Sequence, residues 1–341
     1  MAFSVNALER TAGGRTATVY ELIDDDKTVR AEVWPAWGFN CLRWQVNRGS
    51  AGWGDLLYVA PDWETNPVPT RSGHPILFPF PGRMKEGKFT HEGKTYQLPL
   101  NDSLKQNAIH GFTPRNPWRV SDFEGGDEFA FITGQFRLSR ELPAQADQWP
   151  ADFALDVTYR LYRDKLRVDA KVENRGSIPL PFGLGYHAYF HLPGANDPDI
   201  GGHELQANVD QVWRADESNL PTGWRDDVTG DLDFRTPRTL GGTQLDYVYT
   251  NVTTKPSDYT NLVEMAVLSH PDADRHLRVM AEPAFRELVL FTPPHRQAVA
   301  IEPYTCSADA ANFHERGVDS GWKIVKPGEE WEAAVEYRWE K

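Results

Sequence analysis

Apolar and polar positions alternate with a period of two along much of the chain, most clearly between residues 153 and 172. Phe153, Leu155, Val157, Tyr159 and Leu161 alternate with polar or small residues. After the polar stretch Arg163-Asp164-Lys165, the positions Leu166, Val168, Ala170 and Val172 do the same with the parity switched, which predicts a β-hairpin. Near the C-terminus, Trp331, Ala333, Val335, Tyr337 and Trp339 share one face, and Glu330, Glu332, Glu336, Arg338 and Glu340 occupy mostly the other. That pattern predicts a half-buried antiparallel strand. Shorter runs at 16–23, 28–33, 40–46, 128–135, 263–268, 276–281, 287–291 and 298–302 read as further strands, punctuated by Gly, Pro, Asn and Asp. No long stretch has helical period.

Many short strands with 27 Gly and 25 Pro between them argue for an all-β fold, a large antiparallel β-sandwich with few short helices, rather than alternating βαβ units. Strand-like alternation continues to the last residues, and no linker, charge block or repeat interrupts it, so one domain is expected over residues 1–341. The 341 residues carry 36 Lys+Arg against 49 Asp+Glu, a formal charge of −13. Such a surface repels phosphate backbones and anionic lipid, and no local basic patch offsets it, so neither nucleic acid nor membrane is expected as a partner. Cys41 and Cys306 are the only cysteines, too few for a disulfide framework and without metal-binding spacing. The first residues lack a basic segment followed by an apolar one, and no run approaches the ~20 apolar residues of a membrane helix. A cytoplasmic protein with reduced thiols is expected.

Several segments carry candidate chemistry, each with an ordinary alternative. Gly82 to Lys88 fits G-x-x-x-x-G-K, but Phe89 stands where a phosphate loop needs Ser or Thr, so an exposed turn entering a strand is the better reading. His187 and His191 are four apart in an aromatic, strand-like segment. On a strand that spacing spans about 13 Å, too far for one shared metal ion. Alternation places Ala298, Ala300 and Glu302 on one face, leaving the carboxylate at the end of a strip of small residues. A partly enclosed Glu there is either paired structurally or poised as an acid or base. Taken singly, His110 before Gly111 reads as a turn residue, and Asp246 after Gly241-Gly242 as a solvated carboxylate.

Together these segments resemble the aldose 1-epimerase (galactose mutarotase) family, from about Val29 to Tyr337. The stretch from Gly82-Arg83 through Gly-Lys-Phe to Gly-Lys-Thr-Tyr-Gln-Leu is similar to the family's Asn-Arg-Ile…Gly-Lys-Phe…Asp-Gly-Lys-Tyr-x-Leu. Asn107-Ala-Ile-His110-Gly111 resembles its Asn-x-Leu-His-Gly, and Gly-Tyr-His187-Ala-Tyr-Phe-His-Leu-Pro-Gly its Asn-His-x-Tyr-Phe-Asn-Leu-x-Gly. Leu-Asp246-Tyr and Ile-Glu302-Pro-Tyr-Thr complete the order. The chain departs from the pattern at Phe78-Pro79, where the family has Gly-Arg, at Tyr186 for Asn, and at Phe112 for a second Gly.

The resemblance implies a galactose mutarotase-like sandwich and an enzyme, an isomerase acting on α- and β-anomers of a free hexose such as glucose or galactose. It assigns Glu302 as base and His187 as acid, with Arg83, His110 and Asp246 holding sugar oxygens. No metal or organic cofactor is demanded, and the implied partner is a small aldose bound by a monomer or homodimer. A nearby carboxylate would raise the pKa of His187 and enclosure would lower it, so its charge is open at this point. Two other readings are a hexose-6-phosphate 1-epimerase, with Arg71, Arg83, Arg115 and Arg119 as candidate phosphate ligands, and a non-catalytic carbohydrate-binding protein.

Overall fold

The period-two segments form strands in the computed structural model, which describes residues 2–195, 198–252 and 261–341. The hairpin consists of Phe153–Leu161 and Lys165–Asn174, paired from Leu161↔Leu166 to Phe153↔Asn174. Phe153, Leu155, Val157, Tyr159 and Leu161 are all wholly buried, as a strand with one face in the core requires. The strands predicted at 276–281 and 287–291 have those bounds, and the others shift by one or two residues at one or both ends.

Three sheets dominate. A five-stranded sheet runs in chain order through Phe3–Ala12, Arg15–Asp24, Val29–Trp34, Asn40–Asn47 and Trp53–Asp55. A nine-stranded sheet contains the hairpin, with the C-terminal strand Glu330–Glu340 between Lys165–Asn174 and His276–Ala281. In the eight-stranded sheet, Asp246–Val252, Glu287–Phe291 and Val299–Tyr304 lie side by side. The named strands pair antiparallel throughout, and the described helices are short; the two α-helices are Leu138–Glu141 and Ala310–Glu315. This is the predicted all-β sandwich, with a large cluster of buried side chains running from Phe3 to Trp339.

Two departures from the alternation have clear causes. Phe3–Ala12 escapes sequence analysis because it is the edge of its sheet and most of its side chains are at least partly exposed. An edge strand has little core to impose a pattern on it. Glu336 reads as an outward residue but is 2% exposed, because Arg338 donates to it and Lys165 and Arg167 approach at 3.3 and 3.7 Å. A carboxylate fenced by three cations can be buried where an unpaired one cannot.

The eight-stranded sheet positions the site through the same alternation. On Glu287–Phe291, Leu288 and Leu290 enter the main core while Val289 and Phe291 face a cleft. On Val299–Tyr304, Val299 and Ile301 face the core, and Ala300 belongs to a separate small cluster with Ala298 and Tyr189. Glu302 and Tyr304 line the cleft. Gly185 sits opposite Tyr304 in register, and a Cβ there would overlap the tyrosine ring, so glycine is what lets the ring lie against the neighbouring strand.

Candidate active site

The cleft has a volume of about 390 Å³, within the range of small-molecule sites, and Arg83, His110, His187, Asp246 and Glu302 all line it. They come from separate parts of the chain. Arg83 lies on the two-residue strand Arg83–Met84, which pairs with Ala108–Ile109. His110 follows directly, with φ of 64° and its backbone N–H donating to the Gly82 carbonyl at 2.9 Å. Gly111 continues the turn at φ 65°. A Cβ at Gly111 would collide with the Phe78 carbonyl oxygen, so the turn that presents His110 requires glycine next to it.

His187 and Glu302 form the centre. His187 Nδ1 is 3.4 Å from Glu302 Oε1, longer than a well-formed hydrogen bond, and it makes none with the described residues. The imidazole stacks on Tyr189 at 4.6 Å between ring centroids, and its Nε2 is 3.4 Å from the Tyr189 hydroxyl. That hydroxyl donates to the Thr70 carbonyl at 2.7 Å. The His110 ring meets His187 edge-on at 5.5 Å. Glu302 is 1% exposed and accepts a 2.6 Å hydrogen bond from the Tyr304 hydroxyl. Asp246 sits at the exposed mouth, where Asn219 Nδ2 donates to it at 2.8 Å.

Burial decides the electrostatics. It pushes the Glu302 carboxyl well above the usual range, opposed by the Tyr304 hydrogen bond and reinforced by the charge of Asp246. It pushes His187 down to about 3 and His110 well below its ordinary value, where the charges of His187, Arg115 and Arg83 add to the effect. For His187 enclosure dominates, opposed only by a hydrogen bond with the backbone. Both shifts run against the imidazolium and carboxylate that an acid role for His187 and a base role for Glu302 suggest. Asp246 is raised by desolvation within the cleft walls, with Arg83 opposing.

The remaining candidates separate. His191 does not line this cleft and packs against His203, 5.1 Å between centroids. Among the described residues no group of three His, Cys, Asp or Glu could hold a metal ion. The Gly82–Lys88 segment is a short strand followed by the tight turn Lys85–Gly87 and the strand Lys88–His91; no helix N-terminus follows to cradle a phosphate. Arg71 and Arg115 line the cleft, whereas Arg119 does not. Tyr304, Tyr189 and Asn219 also line the cleft, and none was a site candidate from the sequence. Tyr304 could have been found from its i+2 spacing to Glu302, which puts both on one face of a strand.

Comparison with known proteins agrees with this architecture. The aldose 1-epimerase family model matches residues 19–338. The uncharacterized protein YihR of Escherichia coli K12 is 25% identical over 238 residues, covering 70% of this chain and 71% of that protein. Rat galactose mutarotase is 32% identical over 164 residues, covering 47% of this chain and 44% of its own length. A galactose mutarotase-like protein from Clostridium acetobutylicum has the same fold, with a TM-score of 0.86 at 22% identity and 99% of both chains covered. With a family match over nearly its whole length, the chain belongs to the aldose 1-epimerase family.

Proposed function

We propose that the protein is an aldose 1-epimerase, interconverting the α- and β-anomers of a hexose by opening and reclosing the ring, with Glu302 as base and His187 as acid. The observation that carries this reading is the buried Glu302–His187 pair, 3.4 Å apart and facing one cleft. In ring opening, the Glu302 carboxylate takes the proton of the anomeric hydroxyl, C1 becomes an aldehyde, and the bond from C1 to the ring oxygen breaks. The ring oxygen receives the proton of His187. Rotation about C1–C2 presents the other face, and the same transfers in reverse close the ring.

The pair carries one proton and no net charge throughout, on His187 before opening and on Glu302 after it. That is why burial can be tolerated at both residues. Raising Glu302 and lowering His187 favours the proton on Glu302 in the free protein, and a sugar hydroxyl donating to the carboxylate shifts it back to His187. Arg83, His110 and Asp246 hold the sugar oxygens.

Polarimetry of freshly dissolved α-D-glucose and α-D-galactose, with and without the protein, tests the reading. Faster approach to the same final rotation supports it. A binding protein without catalysis would leave the rate unchanged.

A further inference from the structure

We infer that Asn219 is a substrate-positioning residue: its carboxamide fixes the Asp246 carboxylate at the cleft mouth and completes with it the seat of one ring hydroxyl. This rests on the epimerase reading and adds a residue to its site. Nδ2 of Asn219 donates to Asp246 Oδ2 at 2.8 Å, and both residues line the cleft. An ionised carboxylate only accepts hydrogen bonds, so the amide nitrogen has to face it. Asp246 Oδ1 and the second hydrogen of Nδ2 then have no hydrogen-bond partner among the described residues. A sugar hydroxyl both donates and accepts, so it meets the carboxylate with its proton and the amide with a lone pair.

Two separate elements bring the pair together. Asp246 opens the strand Asp246–Val252 opposite Phe291, and Phe291 is two residues from Val289, the partner of Glu302. Alternation therefore puts Asp246 on the same face of the sheet as Glu302, two strands and about 10 Å across the ladder, with Phe291 and Val289 between them. Asn219 comes from the turn between Val209–Ala215 and Pro221–Asp227. Asp216 ties that turn: its Oδ1 accepts from the N–H of Ser218 at 2.8 Å and of Leu220 at 3.1 Å, and the Asn219 N–H donates to its carbonyl at 3.0 Å. Asn219 stands at φ 58°, a left-handed conformation that glycine takes freely and asparagine more readily than most side chains. The shape of the turn is thus available to glycine, and what the carboxamide adds is the bond across the mouth to Asp246, 27 residues on. Asp246 has no other side-chain hydrogen bond or ion pair among the described residues to orient it.

Two variants that tolerate the left-handed φ test this. Asn219→Gly keeps the turn and removes the carboxamide, and Asn219→Asp keeps the shape but sets a second carboxylate against Asp246. Wild type and both variants are assayed by polarimetry on glucose, galactose and the 2-, 3- and 4-deoxyglucoses. We expect Asn219→Gly to raise KM about tenfold, to lower kcat far less, and to shrink the penalty on whichever deoxy sugar lacks the seated hydroxyl. For Asn219→Asp, KM relative to wild type at the same pH should fall as pH drops from about 8 to about 5, because a proton shared by the two carboxyls restores the lost bond. A turn with a merely structural role would give a ratio independent of pH. That flat ratio, or an Asn219→Gly KM within about twofold of wild type, overturns the inference and leaves the epimerase reading standing. Turnover of none of these sugars by the wild-type protein would instead defeat the epimerase reading itself.

Discussion

A carboxyl group held 1% exposed with a single hydroxyl as its hydrogen-bond donor is tuned by that hydroxyl. Tyr304→Phe removes the bond that stabilises the Glu302 carboxylate, so the carboxyl rises further, and the limb of the kcat/KM profile on which the base ionises moves about one pH unit or more upward. A pH–rate profile of the variant checks the direction; an unchanged profile would mean that Tyr304 merely fills space. Glu302→Gln keeps the shape and removes the base, with an expected loss of about 10²–10⁴-fold in kcat and an unaltered circular dichroism spectrum. Because the pair acts as a unit, the double substitution of Glu302 and His187 should cost little more than either single one.

Among the elements, short irregular pieces do more to place the site than the long strands. Arg83 and His110 stand on two-residue strands and a left-handed turn, where no periodicity exists to be read. Gly111→Ala adds a Cβ against the Phe78 carbonyl oxygen at a φ of 65°. We expect it to destabilise the fold by about 1–3 kcal/mol and to raise KM by displacing His110, measured by urea denaturation and steady-state kinetics. The long strands were legible where one face lies in the core: both strands of the hairpin show their two-residue period directly. The polar edge strand Phe3–Ala12 was not legible, for the converse reason.

In the whole molecule, histidines buried in a neutral state govern the response to acid. His74 lies between the hydroxyls of Tyr159 and Tyr337 at 3.0 and 2.8 Å, and burial lowers it, like His187 and His203, to about 3. Their ordinary value is 6.5, so below pH 6.5 the unfolded chain takes up protons that the folded one refuses. The stability they contribute is complete above pH 6.5 and is lost as pH falls toward 3, at about 1.4 kcal/mol per pH unit for each. Glu302 and Glu287, both raised by burial, the latter to about 7, oppose this between pH 4.5 and their raised values, because there the folded state holds the extra protons. Unfolding free energies should therefore decline below pH 6.5 and decline more steeply below about 4.5. A urea-denaturation series across pH checks this, and a curve that stays flat from 6.5 to 4 would contradict it.

Residue types and their spacing determined the strand pattern, the all-β class and a set of five polar positions, because a half-buried strand writes its core face into every second residue. They also carried the family resemblance, since its motifs are local in sequence. What only the tertiary structure decided is how those positions act together. Glu302 and His187 are 115 residues apart in the chain and 3.4 Å apart in space. Burial, a property of the packed molecule and not of either residue, raises the Glu302 carboxyl and lowers the His187 imidazole. Desolvation and pairing depend on neighbours brought from distant segments, and no local pattern records them.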